Sequence, residues 1–372
     1  MRICIVLLRA YAVFRPEIRK RFGGAEVRIY HLSRALACLD DMEVHVLCRD
    51  YGQPDHEVID GVHLHKFRQG GALGRRIPVY KNLASIPSLY SRLKRIQPDI
   101  AIQVCAGIET GIVGHYAQEH HIPAVFMAAS DPDADGRFEQ NAPGWLRNSY
   151  RYGLKRMNAV ICQNAYQEEK MAQRLPFAPK RIANPVEVDD QYSQPQGNHI
   201  LWVGRAIPSK RPEWFLELAK SMPERQFQMI ISRGHDSNYS DATLDRARQV
   251  SNIDLEIDVP FERMTDYYRA ARILVSTSEH EGMPNTFLQA MAHGVPVIST
   301  VVDPNEMLSE GGAGRCVEDS PEALRESLEA FLSDEALWSE CSRAAWEYVR
   351  EHHDLKKIAR HFQQILQEVR AS

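Results

Sequence analysis

Ser278-Glu279-His280-Glu281-Gly282-Met283-Pro284-Asn285-Thr286-Phe287-Leu288-Gln289-Ala290-Met291-Ala292-His293-Gly294-Val295-Pro296-Val297-Ile298 decides how this chain folds. An apolar run at 272–278 precedes it and reads as a strand. Gly282 and Pro284 mark a loop, a helix begins near Asn285 or Thr286, and Gly294-Val295-Pro296 stops that helix before a further strand at 296–300. Strand, loop, helix, strand is the repeating unit of a parallel sheet. A helix N-terminus directly after a strand offers unbonded N–H groups and the positive end of a dipole, which suit a phosphate. Glu281 stands at the strand exit, placed to accept hydrogen bonds from ligand hydroxyls. The same spacing also describes an ordinary crossover with a capped helix and a solvated glutamate.

The pattern repeats in both directions. Strands are expected at 2–8, 42–49, 62–67, 100–105, 124–130 and 159–164, then at 199–205, 226–232, 253–259, 272–278, 296–300 and 314–318. Helical stretches lie between them. In 24–39, Leu32, Ala35, Leu36 and Leu39 fall on one helix face. The chain has 372 residues, which suits two domains of ordinary size. The break is expected at 184–198, where Asn184-Pro185 leads into the polar, turn-rich Gln194-Pro195-Gln196-Gly197-Asn198. The expected domains are therefore 1–185 and 198–350, both α/β and doubly wound. From 321 onward only helices are expected, and the last, 354–371, could pack anywhere from sequence alone, a return to the first domain being one reading. Ligands of such sheets bind beyond the carboxyl ends of the strands, so a cleft between two facing domains is the expected site.

Composition narrows the classes. The chain is 44% hydrophobic and 25% charged, with a net charge of −4, so no global field attracts nucleic acid. The apolar run Ile3-Cys4-Ile5-Val6-Leu7-Leu8 is too short for a signal segment or a membrane span. Seven cysteines are scattered without a CxxC pair, which fits small buried hydrophobes in a reducing cytosol. A cytoplasmic protein is expected, with peripheral contact at the inner face of the membrane as one further reading.

Three other segments carry chemistry. In Val203-Gly204-Arg205-Ala206-Ile207-Pro208-Ser209-Lys210-Arg211-Pro212-Glu213 a strand again runs into a loop and a helix. Arg205 and Lys210 would reach over the carboxyl end of the sheet, one as a fork-shaped donor and one as a mobile point charge, which a diphosphate needs. Taken alone, three cations in seven residues are more often the mark of a solvated surface. Arg21-Phe22-Gly23-Gly24-Ala25-Glu26 opens the helix at 24–39, and paired glycines permit close backbone approach to a ligand. No GxGxxG fingerprint follows strand 2–8. Asp131-Pro132-Asp133-Ala134-Asp135-Gly136 suggests a metal, but position 12 of an EF-hand loop counted from Asp131 would be Ala142. With Arg205 and Lys210 present, no metal and no cofactor are expected.

Together the glycine loop, the Gly204-Arg205…Lys210 loop and the Glu281-Gly282-Met283-Pro284…Gly294-Val295-Pro296-Val297-Ile298 segment resemble the retaining glycosyltransferases of family 4, group 1, with the two-domain GT-B fold. The resemblance runs in order along almost the whole chain. It implies that Arg205 and Lys210 neutralise the pyrophosphate of a nucleotide-diphosphate-sugar, the co-substrate. Glu281 looks like the first glutamate of the family's E-x7-E motif, on donor sugar hydroxyls. Gly282, Met283, Asn285 and Thr286 would serve sugar and phosphate, and Gly23, Gly24 and Gly204 would allow close approach. The second motif glutamate falls at Gln289, a departure at a place that typically holds the ribose. The resemblance also puts the nucleobase near Val259-Pro260-Phe261 and an acceptor contact at Ser130, Asp131 or Asp133, with Asp131 counted among the catalytic candidates. The acceptor would be a glycan, a lipid-linked sugar or a small molecule.

One regional feature stands apart. Between Gly61 and Pro98 there is no acidic residue, but there are eight cations, among them Lys66, Arg68, Arg75, Arg76, Lys81 and Arg92. Segment 144–157 adds Trp145, Arg147, Tyr150, Arg151, Tyr152, Lys155 and Arg156. This suits an anionic membrane surface, an anionic glycan acceptor, or a merely solvated face. Two rival activities share the diphosphate site: a sugar-nucleotide epimerase or hydrolase, and a non-catalytic sugar-nucleotide-binding protein.

Overall fold

The computed structural model describes residues 1–18, 22–68 and 78–371. The chain divides into two compact units, Met1–Pro185 with Leu355–Ser372, and Val186–Asp354. The polar stretch 186–197, read as a linker, counts with the second unit.

The first unit is built on a sheet in the order β3-β4-β2-β1-β5-β6-β7-β8. Its strands are β1 Arg2–Val6, β2 Glu43–Arg49, β3 His56–Ile59, β4 Val62–Phe67, β5 Ile100–Val104, β6 Ala124–Met127, β7 Ala159–Cys162 and β8 Lys180–Arg181. All neighbours pair in parallel except the hairpin β3–β4. Strands buried on both faces read as unbroken apolar runs. In β1, Ile3 and Ile5 pack with Ile29, Leu32 and Leu36 of the helix Gly24–Ala37, while Cys4 and Val6 turn to Leu89 and Leu93 of the helix Pro78–Ile96. The helix Leu355–Ala371 buries Ile358, Ala359, Phe362, Ile365, Leu366 and Val369 in that first cluster. The helices Ile108–His120 and Gly144–Leu154 cross so closely that a Cβ on Gly153 would stand 2.1 Å from the Thr110 carbonyl oxygen.

On one face of the outer strands β2, β3 and β4, four histidines stack. His45 lies over His63 at 4.7 Å and His56 over His65 at 4.5 Å. Ring nitrogens join His45 to His65 at 2.8 Å and His56 to His63 at 3.1 Å.

The second unit has the all-parallel order β11-β10-β9-β12-β13-β14. Its strands are β9 His199–Ala206, β10 Phe227–Arg233, β11 Ile253–Ile257, β12 Ala271–Ser276, β13 Val297–Ser299 and β14 Gly314–Cys316. Ile200 and Trp202 face Phe215 and Leu244 on one side, and Leu201 faces Met291 and Leu288 on the other. The helix Asn285–Ala292 ends where Gly294 takes φ +70°, with the Gly294 and Val295 amides bonded back to Met291 and Ala290.

All twelve expected strands form, most of them ending earlier than the apolar runs that announced them. Leu7, Ala128, Thr277 and Ser278 lie just past the strand ends and are buried there. Two strands, β3 and β8, are additional.

Candidate functional site

In the second unit β9 has β10 on one side and β12 on the other, so the winding reverses direction between β9 and β12. Loops leaving the two strands part there and leave room for a ligand. After β9 come a single 3-10 turn, Pro208–Lys210, and the helix Pro212–Ser221. After β12 the chain runs through Thr277 to Pro284 into the helix Asn285–Ala292.

Side chains lock the two loops together. The Trp202 indole N–H donates to Thr277 Oγ1 at 3.0 Å, and that hydroxyl donates to the Lys210 carbonyl at 2.6 Å. The Glu279 amide bonds the Ser209 carbonyl at 2.9 Å. A Cβ on Gly204 would sit 2.7 Å from Trp202 Cη2, so glycine is what lets the indole fold beneath the strand end. Gly204 thus has a packing reason to be glycine. Arg211, counted in sequence as one cation among three, is 7% exposed at φ +45°. It donates to the Thr277 carbonyl at 2.7 Å and to Thr300 Oγ1 at 3.0 Å, pairs with Asp319 at 2.6 Å and stacks on Trp214. A buried guanidinium so fully bonded fixes the loop and is not available to a ligand.

On this platform Lys210 Nζ meets Glu281 Oε1, each side chain about one-fifth exposed. Burial and the neighbouring Arg205 charge push the Lys210 ammonium down to about 8, and the Glu281 carboxylate opposes that push. Arg205 is exposed. A clustered Arg, Lys and Glu at a strand switch can neutralise a polyanion and accept from hydroxyls at once. Met283 is 7% exposed in the apolar cluster that Val259 also packs against, and Gly282, Asn285 and Thr286 are the residues around it at the helix start. Phe261 opens a 3-10 turn, Phe261–Arg263, leading into the helix Met264–Ala270. From that helix the buried Tyr268 hydroxyl donates to Gln289 Oε1 at 3.0 Å. The amide oxygen at 289 therefore has a protein partner, which position in sequence could not reveal.

Gly23, Gly24 and Asp131 belong to the first unit. Gly23 precedes the helix Gly24–Ala37, and its amide donates to Glu26 Oε2 at 2.7 Å. Glu26 is 2% exposed and also pairs with Arg9 at 3.0 Å. Its place three residues after the cap is the capping-box spacing. Asp131 Oδ1 accepts from Gln167 Nε2 at 3.0 Å. Asp133 is 6% exposed and holds the amides of Ala106, Ala129 and Ser130, so its carboxylate is spent on the backbone. Asp135 pairs with Arg137. The three aspartates thus serve different partners, and no cluster of three metal-type ligands exists among the described residues.

The acid-free run lies partly outside the described residues, at 69–77, and the Arg21 of the glycine loop does so too. In its described part the charge is not bare. Asp55 lies 3.0 Å from Arg92 and 3.7 Å from Lys66, and Asp50 lies 3.8 Å from Lys66. Among the described residues no helix is long and apolar enough to cross a membrane.

Two doubly wound units, one with a cationic switch point, have the GT-B architecture. The model of the Glycosyltransferase Family 4 matches residues 22–190 and that of Glycosyl transferases group 1 matches residues 197–334, together most of the sequence, and the chain belongs to this family. The amylovoran biosynthesis glycosyltransferase AmsD of Erwinia amylovora is 25% identical over 43% of this chain and 45% of its own, less than half of that relative's length. An uncharacterized glycosyltransferase of Methanocaldococcus jannaschii is 23% identical over 88% of both chains. Anabaena HepE, solved with UDP and glucose, shares the fold at a TM-score of 0.74 and 13% identity, covering 99% of this chain and 100% of its own.

Proposed function

We propose that the chain transfers a hexosyl group from a nucleotide-diphosphate-sugar, with UDP the first base to test and GDP the second, to a glycan, lipid-linked or small acceptor with retention of configuration. The observation that carries this reading is the Arg205, Lys210 and Glu281 cluster at the β9/β12 switch. The presence of UDP and glucose in the complex of Anabaena HepE, which shares the fold, supports the choice of base.

In this reading the diphosphate lies against Arg205, Lys210 and the start of the helix Asn285–Ala292. As the glycosidic bond breaks, the sugar becomes cation-like and the phosphate gains negative charge. Fixed cations and N–H groups aimed at that growing charge are the usual dominant source of catalysis. Glu281 accepts from sugar hydroxyls and keeps Lys210 in place. The acceptor hydroxyl attacks from the face the phosphate is leaving, and the departing phosphate oxygen takes its proton. Gln289, with its oxygen held by Tyr268, presents its NH₂ to the ribose. Asp131 is the acceptor-side candidate in the first unit. Peripheral contact of the basic segment with an anionic membrane belongs to the same reading when the acceptor is a lipid.

The test has two stages. A thermal-shift panel of UDP-, GDP- and ADP-sugars selects the donor, and nucleotide release is then followed with and without acceptor, with the product anomer assigned by NMR. Release that requires acceptor and a product of retained anomer is the expected result. Release without acceptor would favour the hydrolase or epimerase, and binding without release a non-catalytic protein.

A further inference from the structure

Segments following β6 and β7 form an open pocket of about 250 Å³ in the first unit, lined by Gly136, Glu139, Gln140, Arg147, Arg151 and Arg174. Its charges do not balance. Glu139 is 6% exposed and pairs with Arg151 at 2.8 Å and with Arg174, which also donates to the Ala134 carbonyl at 2.6 Å. Arg147 makes no ion pair among the described residues, and its Nε is sealed from solvent with no acceptor. One carboxylate thus faces three guanidiniums, a local surplus of two positive charges on a pocket open to solvent.

Guanidinium forks bind phosphate oxygens bidentately, and several converging on one point select phosphate over neutral groups. The cavity is smaller than those that enclose a whole drug-sized ligand. It therefore suits a head group with the rest of the molecule outside. One wall is made by Gly136 and by Glu139 and Gln140 of the helix Arg137–Asn141, in the segment that follows the carboxyl end of β6, the side where ligands of such sheets bind.

We propose that this cavity holds a phosphate group carried by the acceptor. That the ligand is the acceptor rests on the transferase reading, whereas the phosphate site itself does not. The phosphate belongs either to a soluble sugar phosphate or to a lipid head group.

The test uses the full chain in a Lys210→Ala background, which removes a phosphate contact of the second unit. Inorganic phosphate should shift the unfolding temperature of that variant. Adding Arg147→Gln should weaken the response at least tenfold, and Arg147→Lys, which keeps the charge and loses the fork, should fall between. An equal response with and without Arg147→Gln, or none in the background variant, overturns the site. Glucose 6-phosphate and phosphatidylcholine vesicles with or without phosphatidic acid then separate the sources. Binding of either that depends on Arg147 supports the site and names its source, and binding of both that ignores Arg147 overturns it. Arg147 has no ion pair to lose among the described residues, and circular dichroism of each variant verifies folding. UDP binding is followed in parallel with the unmodified protein. Its failure in the unmodified protein would count against the transferase reading and leave the phosphate result standing.

Discussion

At the scale of single residues the site is a balance between charges that must stay and charges that must yield. Arg205→Ala and Glu281→Ala should each lower kcat/KM by about 10²-fold or more, the size of losing one transition-state contact. Turnover near that of the unmodified enzyme in either variant would remove that residue from the donor site. Lys210 offers a sharper test, because its ammonium is pushed down to about 8. A lysine lowered in the folded protein loses its proton as pH rises through that value, so kcat/KM should fall on an alkaline limb near pH 8, or higher to the extent that Glu281 holds the proton. Lys210→Arg keeps the charge at any accessible pH and should abolish the limb. A limb of unchanged position in that variant would assign it to another group. Gln289 has two duties that can be separated. Gln289→Ala should raise the donor KM about 5–30-fold, from a loss of roughly 1–2 kcal/mol. It also strips the acceptor from the buried Tyr268 hydroxyl, at about 1–3 kcal/mol of stability. Tyr268→Phe should leave Gln289 in place and change KM far less. Equal KM effects of the two changes would mean that position 289 acts only through packing.

At the scale of elements, the outer strands of the first unit carry a titratable stack. His65 is pushed down to about 3 by burial and by its histidine neighbours and Arg92. His45 and His63 are lowered as well, mainly by burial, with Glu43 opposing at His45. Groups whose folded pKa lies below the unfolded value of about 6.5 contribute stability that is whole above it and lost as pH falls toward the folded value. The unfolding temperature should therefore drop between pH 6.5 and 4, and less steeply in His56→Gln/His65→Gln. Parallel curves for the two proteins would show that the stack is thermodynamically silent. These strands also show where sequence stops being readable. The hairpin β3–β4 was missed because His56-Glu57-Val58-Ile59 is half exposed and polar. Yet its Asp60-Gly61 turn, with φ of 50° and 79°, is the two-residue signal of a tight hairpin. The two loops after β9 and β12 were legible, since Arg205, Lys210 and Glu281 stand at strand exits that apolar runs announce. What was not legible is who bonds whom. Nothing in the spacing distinguishes the buried Arg211, bonded to the loop backbone, from Lys210 beside it, paired with Glu281, or the amide-bound Asp133 from Asp131.

At the scale of the whole molecule, the helix Leu355–Ala371 belongs to the core of a unit that the chain left at Pro185. Its large apolar side chains Ile358, Phe362, Ile365, Leu366 and Val369 are nearly fully buried. At about 1.5–3 kcal/mol each, their burial is comparable with the whole stability of a typical domain, about 5–15 kcal/mol. Deleting residues 355–372 should therefore unfold the first unit, while 186–354 retains protease-resistant structure. Survival of both units in limited proteolysis would show that the helix is an accessory. That 354–371 is a helix was plain in sequence. Which unit it serves was a matter of tertiary packing, since any apolar groove accepts such a face.

The same discontinuity bears on biosynthesis. On the ribosome the first unit is translated early but lacks its closing helix until residues 186–354 have also emerged. At about 5–20 residues per second that interval is roughly 10–30 s. During it, the surface of strands β1 and β2 and of the helix Gly24–Ala37 that will receive Phe362 and Leu366 stands uncovered. The nascent chain therefore has a defined window in which trigger-factor-like holdases would engage it, and release should track synthesis of the final helix rather than of the first domain-sized stretch.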